Sequence, residues 1–206
     1  MVPRKAVIAN VTVAVLLCAA AATAVLAQEA DKDQQKAMEA YMAMMAPNEN
    51  HVFLANFAGD WDVVTNAWMG PGATPTTGQG TYTAEMILGG RFVMMHYNGT
   101  IFGQPFEGYQ VIGYDNIKKK YETFWIDNSS TSFYLTEGVR DQGGATLADT
   151  GLWADPMTGG SVKIRDEMKL VGPDAFTYEL YMTQPDGTEF KSLQNIAVRQ
   201  KVEGSE

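Results

Sequence analysis

The chain has 206 residues, of which 15 are basic and 24 acidic, giving a formal charge of −9 at neutral pH. So acidic a surface repels phosphate backbones and anionic lipid headgroups, which argues against nucleic acid as a partner. The single cysteine, Cys18, falls in the first segment, so the rest of the chain has no thiol and no internal disulfide and must be held by its core.

Residues 1–27 read as a secretory signal: Arg4 and Lys5 start it, residues 6–17 are apolar, and Val25-Leu26-Ala27 is a small-residue cleavage site. Cleavage after Ala27 is expected, which makes the protein periplasmic or secreted and leaves it off the membrane. Two alternatives stand beside it. Residues 6–27 are long enough to span a bilayer uncut, although Asn10, Thr12 and the alanine-rich half weaken them as a permanent span. Lipid attachment at Cys18 is less favoured, because bulky Leu16 and Leu17 precede it. Residues 28–206 then carry 13 basic and 24 acidic side chains, a formal charge of −11. Their 179 residues suit one domain with a real core.

Residues 29–46 are low in glycine and rich in Ala, Glu, Lys, Gln and Met, and Met38, Tyr41, Met42 and Met45 recur at helical spacing before Pro47. The expectation for 28–47 is a helical or flexible segment. Its methionine face either packs or frays, or it grips a partner. Asn48 is placed to cap a short helix through Phe57, with His51, Leu54 and Phe57 on one face.

From Gly59 the pattern changes. Ten segments read as strands: 61–68, 80–88, 91–98, 105–114, 121–127, 132–138, 145–153, 161–170, 175–182 and 189–199. Most of their connections are hairpin-sized, such as Gly89-Gly90, Asn98-Gly99, Asp115-Asn116 and Pro185-Asp186-Gly187. Short links put sequence neighbours side by side, and ten strands in an open sheet would leave long bare edges. The predicted fold is therefore all-β: a closed up-and-down antiparallel barrel of about ten strands over 48–200, with a short N-terminal helical segment and a tail at 201–206. Residues 70–80, rich in Gly, Pro and Thr, are the one long loop between predicted strands.

Several motifs occur in order across about 51–199: Gly59-Asp60-Trp61, Leu88-Gly89-Gly90-Arg91-Phe92, Gly113-Tyr114-Asp115-Asn116, Trp125-Ile126-Asp127, Asp155-Pro156 and Pro185-Asp186-Gly187. In these the chain resembles the bacterial domain-of-unknown-function family fifteen-seventy-nine. The resemblance implies a small, often exported, lipocalin-like barrel with no established activity. More distantly, Trp61 on the first strand and Arg199 on the last resemble the calycin pair in which the arginine lies across the tryptophan ring and closes one barrel end.

Candidate site residues follow from strand alternation. Phe92, Met94 and His96 share one face of their strand; Tyr121, Thr123, Trp125 and Asp127 share one of theirs. Turned inward, with Tyr114 and Phe133, they would line a pocket with aromatic walls and a few polar atoms; alternation alone does not choose inward from outward. His51 and His96 are the only histidines, too few for an ordinary zinc site in a chain without other thiols, so no metal and no cofactor is expected. Haem on one histidine is the minor alternative. Asp166 and Glu167, adjacent on a strand, point to opposite faces, and Ser129, Ser130 and Ser132 lie in a turn without a nucleophile elbow. Three functions remain open: a carrier of a small apolar or amphipathic molecule, an enzyme of hydrolase or isomerase type using His96, Asp127 or Tyr114, and an envelope interaction protein with a solid barrel.

Overall fold

The computed structural model describes residues 28–155 and 159–201; the signal read at 1–27 and its cleavage lie outside them. Helix α1 occupies residues 28–45 and exposes Met38, Tyr41, Met42 and Met45. Residues from Pro47 onward form a separate compact unit.

That unit opens with helix α2, Glu49–Ala55, whose N-terminus is capped twice. The Asn48 side chain accepts from the Asn50 amide at 2.9 Å, and His51 Nδ1 accepts from the Asn48 amide at 2.9 Å. Two of the amides that a helix start leaves unpaired are thus satisfied. Burial holds His51 below its usual pKa, with the Arg91 charge adding to the shift, so its ring stays neutral and able to accept.

Ten strands follow: β1 Gly59–Ala67, β2 Thr76–Ile87, β3 Phe92–Ile101, β4 Gln104–Asp115, β5 Lys120–Asp127, β6 Tyr134–Arg140, β7 Thr146–Ala154, β8 Ser161–Leu170, β9 Ala175–Thr183 and β10 Glu189–Arg199. Each pairs antiparallel with the next, and β10 returns to β1, closing the barrel. Closure is in register from Trp61 opposite Arg199 to Ala67 opposite Leu193. Each of these ten strands therefore has a partner on both sides.

The long loop expected at 70–80 is shorter than the glycine and proline content implied. β2 begins at Thr76, opposite Ala67, because Thr76, Thr77 and Gln79 find ladder partners on β1. Gly80 serves packing here: a Cβ on it would stand 2.7 Å from the Tyr97 hydroxyl, so the bare backbone makes room for that ring.

The alternation sets the interior. Trp61, Val63 and Thr65 of β1, Tyr82 and Ala84 of β2, and Val93, Met95 and Tyr97 of β3 are buried inward; the intervening residues face out. α2 lies across one end, where Phe53 meets Tyr121 and Phe57 meets Phe176 edge to face. Trp61 is fully buried there, and its indole N–H donates to the Phe57 carbonyl at 2.9 Å. The Arg199 guanidinium lies 4.0 Å from the Trp61 ring and donates to the carbonyls of Ala58 at 2.8 Å and Asn56 at 3.0 Å. It covers the ring and also satisfies carbonyls just past α2.

Candidate functional site

The other end of the interior is built differently. A cavity of about 80 Å³ lies there, lined by Tyr82, Tyr97, Gln110, Trp125, Tyr134, Tyr178 and Asn195, with Ile101, Phe106, Leu180 and Leu193 supplying apolar surface. A larger groove of about 760 Å³ runs along the rim between residues 127–132 on one side and 153–155 with 159–160 on the other, and Tyr134 belongs to both walls.

Local sequence explains these placements. Trp125 is inward on β5, and its ring lies over Gly108, where a Cβ would stand 2.3 Å from a ring carbon. Its indole N–H donates to Asp127 at 2.7 Å, and the Tyr134 hydroxyl donates to the same carboxylate oxygen at 3.0 Å. Ser129 adds its amide at 2.9 Å and its hydroxyl at 2.6 Å. Partial burial raises the pKa of Asp127, but these bonds from Ser129, Trp125 and Tyr134 outweigh it and hold the carboxyl below its usual range, hence ionised.

A second network crosses the barrel. Thr65 donates to the Asn195 carbonyl oxygen at 2.7 Å and lies 2.8 Å from the Tyr97 hydroxyl, while the Asn195 amide donates to the Tyr82 hydroxyl at 2.6 Å. Gln110, only 7% exposed, aims its amide into the cavity and makes no side-chain hydrogen bond among the described residues. That leaves its amide free to meet a polar group in the cavity.

Behind the Tyr178 wall sit two buried carboxyls. Asp149 on β7 is directly opposite Asp166 on β8. Thr123 donates to Asp149 at 2.8 Å, and Tyr178 donates to Asp166 at 3.0 Å. Burial pushes both above the usual carboxylate range, Asp166 well above it because the Asp149 charge adds to the shift. Two acids so placed disfavour ionising together. Thr136 Oγ1 and the second Asp149 oxygen are buried without a hydrogen-bond partner. Burial likewise raises the pKa values of Tyr82, Tyr97, Tyr134 and Tyr178, so all four phenols stay protonated.

Of the candidate residues, the structure brings Trp125 and Asp127 to this end and places Tyr114 elsewhere. Tyr114 is inward but sits under α2, 4.9 Å from the Tyr121 ring and 6.0 Å from that of His51. Phe92, Met94 and His96 face outward, because β3 buries Val93, Met95 and Tyr97 instead, so an inward reading of that face is corrected. His96 pairs with Glu107 at 2.8 Å and stacks on Tyr109 at 4.3 Å on the outer wall. Phe133 is 62% exposed beside Phe124 and does not line the cavity. An enzyme built on His96, Asp127 and Tyr114 together has no common site, since the three are on the outer wall, the rim and the α2 end. Among the described residues, no cluster of three or more His, Cys, Asp or Glu side chains is assembled, and no helix is long and apolar enough to cross a membrane.

Sequence reasoning missed Tyr82, Tyr97, Gln110, Tyr134, Tyr178, Asn195, Asp149 and Asp166. The pair Asp149 and Asp166 carried a readable signal: each sits between apolar or glycine residues two places away, Leu147 and Gly151, Ile164 and Met168, which marks an inward position.

No curated protein matches the chain in sequence. Among solved structures, the crystal structure of Rv2717c from M. tuberculosis is similar at a TM-score of 0.52 and 13% identity, covering 72% of this chain and 95% of that one. The likeness is one of fold. A redesigned β-barrel, mFAP1, bound to DFHBI, aligns at a TM-score of 0.38 and 19% identity, over 72% of this chain and 97% of that one. The model of the family described as "Protein of unknown function (DUF1579)" matches residues 46–199, nearly all of the barrel and α2, and the chain belongs to that family.

Proposed function

We propose that this protein is an exported binding protein that holds a small molecule in the mouth end of its barrel. One observation carries the reading: a cavity with aromatic walls, lined also by Gln110, whose side-chain amide makes no hydrogen bond among the described residues. Apolar walls with a few convergent polar atoms are what a small-molecule site needs. At about 80 Å³ the cavity is below the size of a drug-sized pocket, so it takes a compact ligand or the head of a longer one whose remainder lies in the rim groove. Export rests on the signal-type residues 1–27, which direct the protein to the periplasm or beyond.

The test is native mass spectrometry of the protein recovered from its own host, before and after denaturation, beside a Leu193→Trp variant that fills the cavity. Extra mass that leaves on unfolding and is missing from the variant is the expected result. A bare chain, or extra mass that the variant retains, overturns the assignment. A chain beginning at Gln28 checks the cleavage.

A further inference from the structure

Resting on that reading, we infer that the ligand is a small organic cation, an amine or alkylammonium group with a short apolar part. The argument is one of hydrogen and charge balance on the cavity wall.

Three of the four phenols spend their protons on the wall. Tyr134 donates to Asp127 and Tyr178 to Asp166. Thr65 gives its own proton to Asn195, so its contact with Tyr97 leaves Tyr97 as the donor. Those three oxygens face a ligand as acceptors only. The donors left over are the Tyr82 hydroxyl, which itself accepts from Asn195, and the Gln110 amide. A guest therefore satisfies this wall best by bringing N–H groups of its own.

Charge points the same way. Among the described residues, no Lys, Arg or His lines the cavity. Three carboxyls stand behind or beside its walls: ionised Asp127 at the rim, and Asp149 with Asp166 behind Tyr178. The neighbouring base Arg165 is turned outward, bound to Glu167 and at 2.9 Å to Glu189. Arg140, inward on β6, is spent at the α2 end, 4.8 Å from the Phe53 ring. The local field is thus negative inside a low-dielectric wall, where charges act most strongly. Tyr82, Tyr97, Trp125, Tyr134 and Tyr178 add ring faces, the surfaces that attract ammonium groups. A carboxylate guest would find only the Tyr82 hydroxyl and the Gln110 amide as donors, against acceptors and negative charge elsewhere. A purely apolar one would leave Gln110 unpaired.

The experiment is an NMR titration of the barrel protein, read at the Trp125 indole N–H, with three probes of matched size: n-butylammonium, n-butanol and butyrate. The expected outcome is a saturable shift with n-butylammonium at an affinity at least tenfold tighter than n-butanol, and no saturable shift with butyrate. Asp127→Asn, which keeps the shape and removes the charge, narrows the gap between cation and alcohol at least threefold. If that variant does not fold, the wild-type series alone decides. Butanol or butyrate binding as tightly as the cation overturns the cation assignment and leaves the cavity as a binding site. Silence from all three probes at Trp125 overturns the cavity as a binding site, and this inference with it.

Discussion

The two ends of the barrel interior are made from similar residues and do opposite things. Under α2, rings meet rings: Phe176 meets Trp61 at 4.8 Å and Phe57 at 5.4 Å, both edge to face, and Arg199 lies over the Trp61 ring. At the mouth, rings meet hydroxyls, amides and acids, and a space is left between them. Aromatic content alone therefore does not tell a core from a site. The difference lies in what the rings meet, and α2 decides it by supplying apolar side chains to one end only.

The comparison breaks most visibly if the α2 end is not what holds the barrel. Trp61→Ala is expected to cost about 3–5 kcal/mol in urea unfolding, as removal of a fully buried indole does. A loss below about 1 kcal/mol would move the stability elsewhere. Arg199→Met keeps the aliphatic cover but removes the cation–π contact and the bonds to Asn56 and Ala58; about 2 kcal/mol is expected by the same measurement.

The mouth end should respond with the opposite sign. Asp166→Asn is expected to gain about 1–2 kcal/mol at pH 7, since it relieves a buried acid pair while keeping an acceptor for Tyr178. The pH dependence fixes the mechanism. Asp166 ionises near 3.8 when unfolded but only at much higher pH when folded. Between those values the folded state holds more protons, so its contribution to stability is present at low pH and falls as pH rises through the folded pKa. The gain from Asn should thus shrink on acidification from pH 7 to pH 4; an equal gain at both would sink the acid-pair account. The smallest effect belongs to Leu193→Phe, which extends a ring into the cavity. Thermal unfolding should shift by less than about 1 kcal/mol either way, while binding is lost.

Much of the barrel was legible because its local rules agree. The strands at 161–170 and 189–199 have the bounds their alternation and turn residues imply, and Asn48 caps the helix its side chain favours. The site was legible only in part. Trp125 and Asp127 were found from one shared face, but the same reasoning offered Phe92, Met94 and His96 equally, whose strand buries the other face. A one-residue choice of parity exchanges walls, and nothing local to β3 settles it: Val93, Met95 and Tyr97 are as apolar as their neighbours. The Thr65, Tyr97, Asn195 and Tyr82 network joins residues up to 130 apart in the chain, and no local pattern announces such a contact.

Arg199 donates to the carbonyl of Ala58, 141 residues earlier, and β10 is the last strand as well as the neighbour of the first. Until that strand has been synthesised, β1 and β9 are both bare edges, and the lid over Trp61 is missing. A nascent chain therefore has no complete barrel to fall into, whatever local hairpins it forms, and final closure is a slow, long-range event.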